Sequence, residues 1–531
     1  MRNISLPLVL AAFSITTACA GSPTEAHSGE SGASDPDVEG SSTGDASDEP
    51  TNDSDGLTTG ATGTTGPTGD PSSDSGTSAG ADESDSTGAP TSVAQLRLVH
   101  AAAGAPNVDV YLAASDEPVI IDLAYGSASD YLEVPAGTRD FEVRAAGSPA
   151  GEPPLYTATL DLEADATVTA VAAGSFASAD EASAFRVLTL VEAFEDPGAG
   201  RTAVRFVNAG PDAAALNVDV GNDGADPELP TVERFADSGV AGLPLPSDAE
   251  LQLGIVSGGE LLTAFTTPAL AEGGNVFVIA AGMLDDLPRE VSGFALLAVG
   301  PQGVIGLIRQ NPIIYSLHAS PDSGHFDICI DDAPRVVGQT FGDLTRLQLP
   351  PGMYDLEFHS EAGDCTGEPA SIQPSGDLAA GQQYLMVSAG EIIPESGDQA
   401  FGLITFAEAF PLEAGPDAVF AVIHAGSAPD IDVGTLDEGD QVTAQTLLVS
   451  DLAWAQESEF VTLTAGDYML GVVPASMPLP AAPYGIIAAP MAQRMRAWTV
   501  AAGDVSPQGF DHVATIFTVV TNSNPWTVVA L

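Results

Sequence analysis

Four times in this chain an apolar run ends in a histidine, or once an asparagine, and an aspartate follows 8–11 residues later. The pairs are His100 with Asp109, Asn208 with Asp219, His318 with Asp327, and His424 with Asp432. Imidazole and carboxylate are the side chains that ligate divalent metals and carry protons, so these pairs come first as candidates for chemistry. A protein metal site needs three or four ligands, and each pair supplies two. The asparagine decides the weighting: it donates and accepts hydrogen bonds as readily as histidine does, but it is a poor substitute for imidazole on a metal. The expectation is therefore a structural anchor, a strand-end side chain bonded to the carboxylate or backbone of the next hairpin. No metal and no cofactor are expected.

Cys329 and Cys365 lie 36 positions apart, and a disulfide between them is expected if the chain is exported to an oxidising compartment. The rival is two free thiols. All 14 basic residues are arginine, so the lysine that a P-loop or a Schiff-base enzyme requires is absent. His27, His325, His359 and His512 show no His-Glu-x-x-His spacing. Gly76–Gly80 reads literally as Gly-x-Ser-x-Gly, but its flanks are polar and unpatterned, whereas a nucleophile elbow needs a strand before it and a helix after it. Asn52–Gly56 lacks the first aspartate and the closing glutamate of a calcium loop, and the acids Asp223 and Asp226 read as a solvated loop. No catalytic residue is assigned, and the chain is not expected to be an enzyme.

The elements that carry the anchors repeat. LRLVHAAAGAPNVDVYL at Leu96, VRFVNAGPDAAALNVDV at Val204, IYSLHASPDSGHFDICI at Ile314 and FAVIHAGSAPDIDV at Phe420 align on the His/Asn position. A lone aromatic follows in each: Tyr125, Phe235, Phe341 and Trp454. A strand ending in small residues then closes at Gly174, Gly282, Gly390 and Gly503. The pieces alternate with period two. Phe326, Ile328 and Ile330 share one face, while Asp327, Cys329 and Asp331 share the other, as in a half-buried strand. Turn residues every 8–12 positions suit sandwiches of about seven strands. The expectation is an all-β chain of four tandem immunoglobulin-like β-sandwich repeats at 93–200, 201–311, 312–416 and 417–531. They would sit as beads joined near Asp196–Gly200, Gly300–Pro312 and Pro411–Asp417.

This opening signature resembles the bacterial domain-of-unknown-function family 4397. The first repeat carries it best, in His100-Ala101, Val108-Asp109-Val110-Tyr111, Tyr125-Gly126, Ser129, Tyr131 and Ala136-Gly137. The second has Asn208 for the histidine, and the fourth has Trp454-Ala455 for the Tyr-Gly. The resemblance implies tandem immunoglobulin-like domains in secreted proteins or lipoproteins, and no agreed activity.

The N-terminus supplies an address. Met1-Arg2-Asn3 precedes an apolar run too short to span a bilayer, which ends at Cys19. Thr16-Thr17-Ala18-Cys19 is similar to a lipobox with threonine in the usual leucine place, and Cys19 is then the lipidated first residue of the mature chain. Ala18-Cys19-Ala20 alternatively offers an ordinary cut before Gly21, giving a secreted protein. Ala20 rather than aspartate after the cysteine resembles outer-membrane sorting. Residues 20–92 hold fifteen acidic residues, no arginine and almost nothing apolar, so they read as a disordered tether. The formal charge of −60 repels phosphate backbones, which argues against a nucleic-acid partner. The functional expectation is a lipid-anchored envelope protein that displays β-sandwiches in a structural or adhesive role. A glycan or protein would be its extracellular partner. The alternative is a module that binds a soluble glycan, peptide or calcium ion without adhesion.

Overall fold

The computed structural model describes residues 92–149, 151–360, 365–394, 399–412, 415–427, 429–483, 485–503 and 515–530. Cys19, the leader and the acidic tether lie outside the described residues. Pro90–Leu531 form one compact unit. Its described residues make 34 strands in eight sheets and no helix.

The first group sets the pattern. Its strands are β1 (Val93–His100), β2 (Val108–Leu112), β3 (Pro118–Leu123), β4 (Leu132–Pro135), β5 (Gly137–Ala145), β6 (Tyr156–Leu162), β7 (Thr167–Ala173) and β8 (Arg186–Val191). They form two sheets, in the orders β4-β1-β7-β8 and β3-β2-β5-β6. The β1–β7 pair is parallel, with Leu98 opposite Ala170. Alternation is plainest in β6, where Ala158, Leu160 and Leu162 are buried between exposed Thr157, Thr159 and Asp161. Leu96, Leu98, Val108, Val110, Phe141 and Val143 meet them between the sheets. The same order recurs in the other three groups. The second and fourth add a closing hairpin strand, Gly303–Arg309 and Thr527–Ala530, which widens one sheet to five strands. Groups of eight and nine strands thus replace the expected seven.

The beads-on-a-string expectation is corrected by β1 and β7, which are buried on both faces over most of their length. Antiparallel sandwich strands normally leave one face to water, so continuous burial requires a second covering layer. That layer is the next group. Val99, Val171 and Leu190 share one apolar core with Val207, Phe277, Ile279, Leu297 and Val299. The third and fourth groups are joined the same way, with Leu317, Leu385 and Val387 packed among Ile423, Trp498, Val500 and Phe517. The units therefore stand in pairs, each pair four sheets deep.

Between the second and third groups the contacts are polar. The Gln348 amide accepts from the Ala264 N–H at 3.0 Å and donates to the Asn311 carbonyl at 2.8 Å. Arg289 grips the buried Glu408 carboxylate with two nitrogens. Apolar seams inside pairs and a hydrogen-bonded seam between them make the pair the natural mechanical unit.

Candidate functional site

The recurring anchors sit at the ends of first strands and within second strands, on different sheets. Each anchor ring or amide reaches into the loop that follows its own strand. His100 Nε2 lies 3.2 Å from the Pro106 carbonyl, His318 Nε2 lies 2.8 Å from that of Gly324, and His424 Nε2 lies 3.2 Å from that of Pro429. A carbonyl only accepts, so Nε2 carries the proton in each ring. In the third group the Ser320 N–H donates to His318 Nδ1 at 3.3 Å, which agrees with that tautomer. Asn208 does the same work with its amide, donating to the Ala214 carbonyl at 2.7 Å. One N–H donor aimed at the loop is the common requirement, and asparagine meets it.

The aspartates hold bulges. Asp109 Oδ1 accepts the Asp122 N–H at 2.8 Å, and its Oδ2 accepts that of Gly147 at 2.9 Å. Asp327 accepts from Gly338 at 2.6 Å and Asp432 from Asp451 at 2.8 Å. The donors Asp122, Gly338 and Asp451 have φ of 52°, 64° and 50°, a left-handed turn that breaks the ladder and frees an N–H for the carboxylate. In the second group Asp219 accepts instead from Gly224, at 3.0 Å and φ 77°. Anchor and carboxylate are thus each committed to backbone groups: of the two partners expected for the anchor, backbone is the one observed, and the aspartate forms a separate clamp. Among the described residues no three His, Cys, Asp or Glu converge in a metal-holding arrangement.

Burial is the larger influence on His100, and it pushes the imidazole below its usual value. The bond to Pro106 works the other way. A lowered folded-state value means that the unfolded chain takes up the proton more readily, so stability is lost as pH falls through the unfolded value of about 6.5. Thermal melts of wild type and His100→Gln between pH 7.5 and pH 5.5 test this. The wild type is expected to lose more stability over that window than the variant, and parallel curves would refute it.

The aromatic position needs one correction. The backbone N–H groups of Gly126, Gly342 and Ala455 bond to the carbonyls of His100, His318 and His424, and that of Phe235 bonds to Asn208. Phe235 therefore matches Gly126 and not Tyr125, and it occupies the left-handed site itself at φ 62°. A bulky residue there is strained. Its ring is held in the shared core of the first pair and lies 4.1 Å beneath the Arg186 guanidinium.

Sequence reasoning missed two arginines. Arg97 and Arg205, each three residues before its anchor, are buried at the seam of the first pair. Arg97 bonds Thr169, pairs with Glu192 at 3.3 Å, and reaches across to the Gly300 carbonyl at 2.6 Å. Arg205 binds Asp237 at 2.7 Å and reaches back to the Val191 carbonyl at 2.8 Å. Val191 and Gly300 close equivalent strands, so the exchange is reciprocal, as in a pseudo-two-fold. Burial works to raise the Asp237 carboxyl, but the bonds from Arg205 and Gly239 and the arginine charge outweigh it and hold the value down. In the second pair the same position is Tyr315, stacked on Trp526 at 4.2 Å. The signal was available: two of the few basic residues stand at one repeat position inside apolar strands.

Cys329 and Cys365 form a disulfide with Cα atoms 5.9 Å apart, which ties the strand Phe326–Ile330 to a loop.

These features define a chain of tandem, paired two-sheet β units whose recurring polar residues clamp backbone. Residues 94–219 and 313–434 match the family model described as "Domain of unknown function (DUF4397)", two matches in tandem. Each match begins at the first strand of one unit and ends inside the second strand of the next, crossing the seam that the shared cores bury. No curated protein matches the chain. Among solved structures, "The Bacillus anthracis TIE protein" is similar at 11% identity, over 65% of this chain and 63% of that one, with a TM-score of 0.12. The chain thus spans less than two thirds of that protein, and a likeness so slight defines neither fold nor function.

Proposed function

We propose that this chain is an exported cell-envelope protein, lipid-anchored to the outer membrane through Cys19. In this reading its paired β units form a non-catalytic scaffold for structural or adhesive display. The observation that carries the reading is the use made of the recurring histidines and aspartates. With Asn208 in the second unit, the anchor holds a loop in every unit, and the aspartate holds a bulge in three of them and a loop turn in the second, which is the work of a scaffold that presents loops. The leader-like run before Cys19 and the acidic, Ser/Thr/Gly-rich stretch behind it support the anchor, because such a stretch spaces a folded body from a bilayer. An extracellular glycan or protein would be the partner of the displayed loops.

Fractionation of cells expressing the full chain tests the anchor. Wild type is expected in the membrane fraction, released by detergent, and Cys19→Ser in the soluble fraction. A Cys19→Ser protein that still partitions with membranes would sink the proposal.

A further inference from the structure

The core of the fourth strand group is incomplete. A cavity of about 180 Å³ lies between its two sheets, floored by Phe420, Leu470, Ile487 and Ala489. At the corresponding place between the sheets of the first group, among Leu98, Val110, Phe141 and Leu160, the space is about 20 Å³. In the fourth group the strand Thr527–Ala530 widens one sheet to five strands against four, and Val529 of that strand lines the cavity. Val529 is half exposed, so the cavity has a mouth at this rim.

We propose that this cavity is a binding site for a small uncharged hydrophobe, an aromatic ring or a short alkyl chain. Among the described residues no charged side chain lines it, and the lining hydroxyls are those of Thr499 and Thr518. A charged ligand would lose its hydration there without a partner. An apolar cavity of about 150 Å³ is large enough to take up benzene, so the size fits the class. Met491 and Met495 line the same space. Their unbranched thioether chains adapt to the outline of a guest, as methionine does at surfaces that accept varied apolar partners.

The test uses the full chain labelled with ¹³C in its methionine methyl groups, titrated with benzene and, separately, with benzoate. Benzene is expected to shift the Met491 and Met495 methyl resonances saturably, and benzoate at the same concentrations is expected to leave them in place. Ala489→Leu, which fills the cavity from its floor, is expected to weaken benzene binding by about tenfold or more. Should that variant lose its β-sheet circular dichroism, Ala489→Met carries the same comparison with a more pliable side chain. Absence of saturable shifts at Met491 and Met495, equal binding of benzoate, or undiminished benzene affinity in a folded, filled variant would each overturn the proposal.

Discussion

Phe277→Ala is expected to cost the first pair of units about 3–5 kcal/mol, the range for deleting a fully buried aromatic ring. Phe277 is completely buried, packs edge-on against Phe194 at 5.0 Å, and stands in the shared core with Val99, Val171 and Val207. Two guanidinium groups also stand over its ring, Arg97 at 5.8 Å and Arg205 at 5.6 Å. Removing the ring opens a cavity and leaves two buried cations without the aromatic face that helps to offset their desolvation. A single melting temperature does not tell whether one unit or both have loosened. Local hydrogen exchange separates the possibilities. Amides of both Val93–His100 and Asn275–Ala281 should lose protection together, because the ring joins two units. Those of Ile313–His318 and Arg496–Ala502 should not change. Loss confined to the second unit would show that the units stand alone.

That contrast marks where the sequence was legible. Period-two alternation placed Phe326, Ile328 and Ile330 in one core, and all three are there, but the strand is not half-buried as expected, because Asp327 and Cys329 on its other face are buried too. The His, Asn and Asp positions stood out because their side chains bond backbone groups in every unit, which keeps residue type and spacing nearly constant. Pairing was not legible, because a strand buried on both faces differs from a half-buried one only at its formerly polar positions. Here those positions hold Val99, Val171 and Val207, residues that a short apolar run contains in any case. Arg97 and Arg205 pointed the other way, since buried arginine in the middle of a strand mimics a solvent-facing position until its partners are known. Phe235 was misaligned by one place for a related reason. Type suggested the aromatic position, while the backbone bond to Asn208 puts it in the left-handed one.

Gly282→Ala is expected to destabilise the chain by about 2–5 kcal/mol, the sum of a left-handed penalty of about 1–2 kcal/mol and a steric term of about 1–3 kcal/mol. Gly282 has φ 86°, and a Cβ built on it would stand 2.5 Å from the Gly293 carbonyl oxygen and 2.7 Å from that of Ser292. Those are backbone atoms of the returning loop, fixed by the bridge between Met283 and Gly293, so they cannot swing aside as a side-chain tip would. Gly174 repeats the arrangement, at 2.5 Å from the Ala184 oxygen and beside the Ser175–Ala184 bridge, and Gly390 repeats it against Ala400. The Gly174 N–H also donates to the Ala209 carbonyl of the neighbouring unit at 3.2 Å, so this turn meets the seam of the pair. Gly104 supplies the control. It is also left-handed, at φ 72°, but a Cβ there meets nothing within 4 Å. Gly104→Ala should therefore cost only the conformational share, about 1–2 kcal/mol. Urea unfolding of the two variants, followed by sheet circular dichroism, measures the difference. Equal losses would mean that the turn after the small-residue strand yields to a methyl group, and that its glycine is there for backbone angle alone. A larger loss at Gly282 would assign the excess to the close approach of the two backbone segments, the feature that recurs at Gly174 and Gly390 and closes each loop over the end of its sheet.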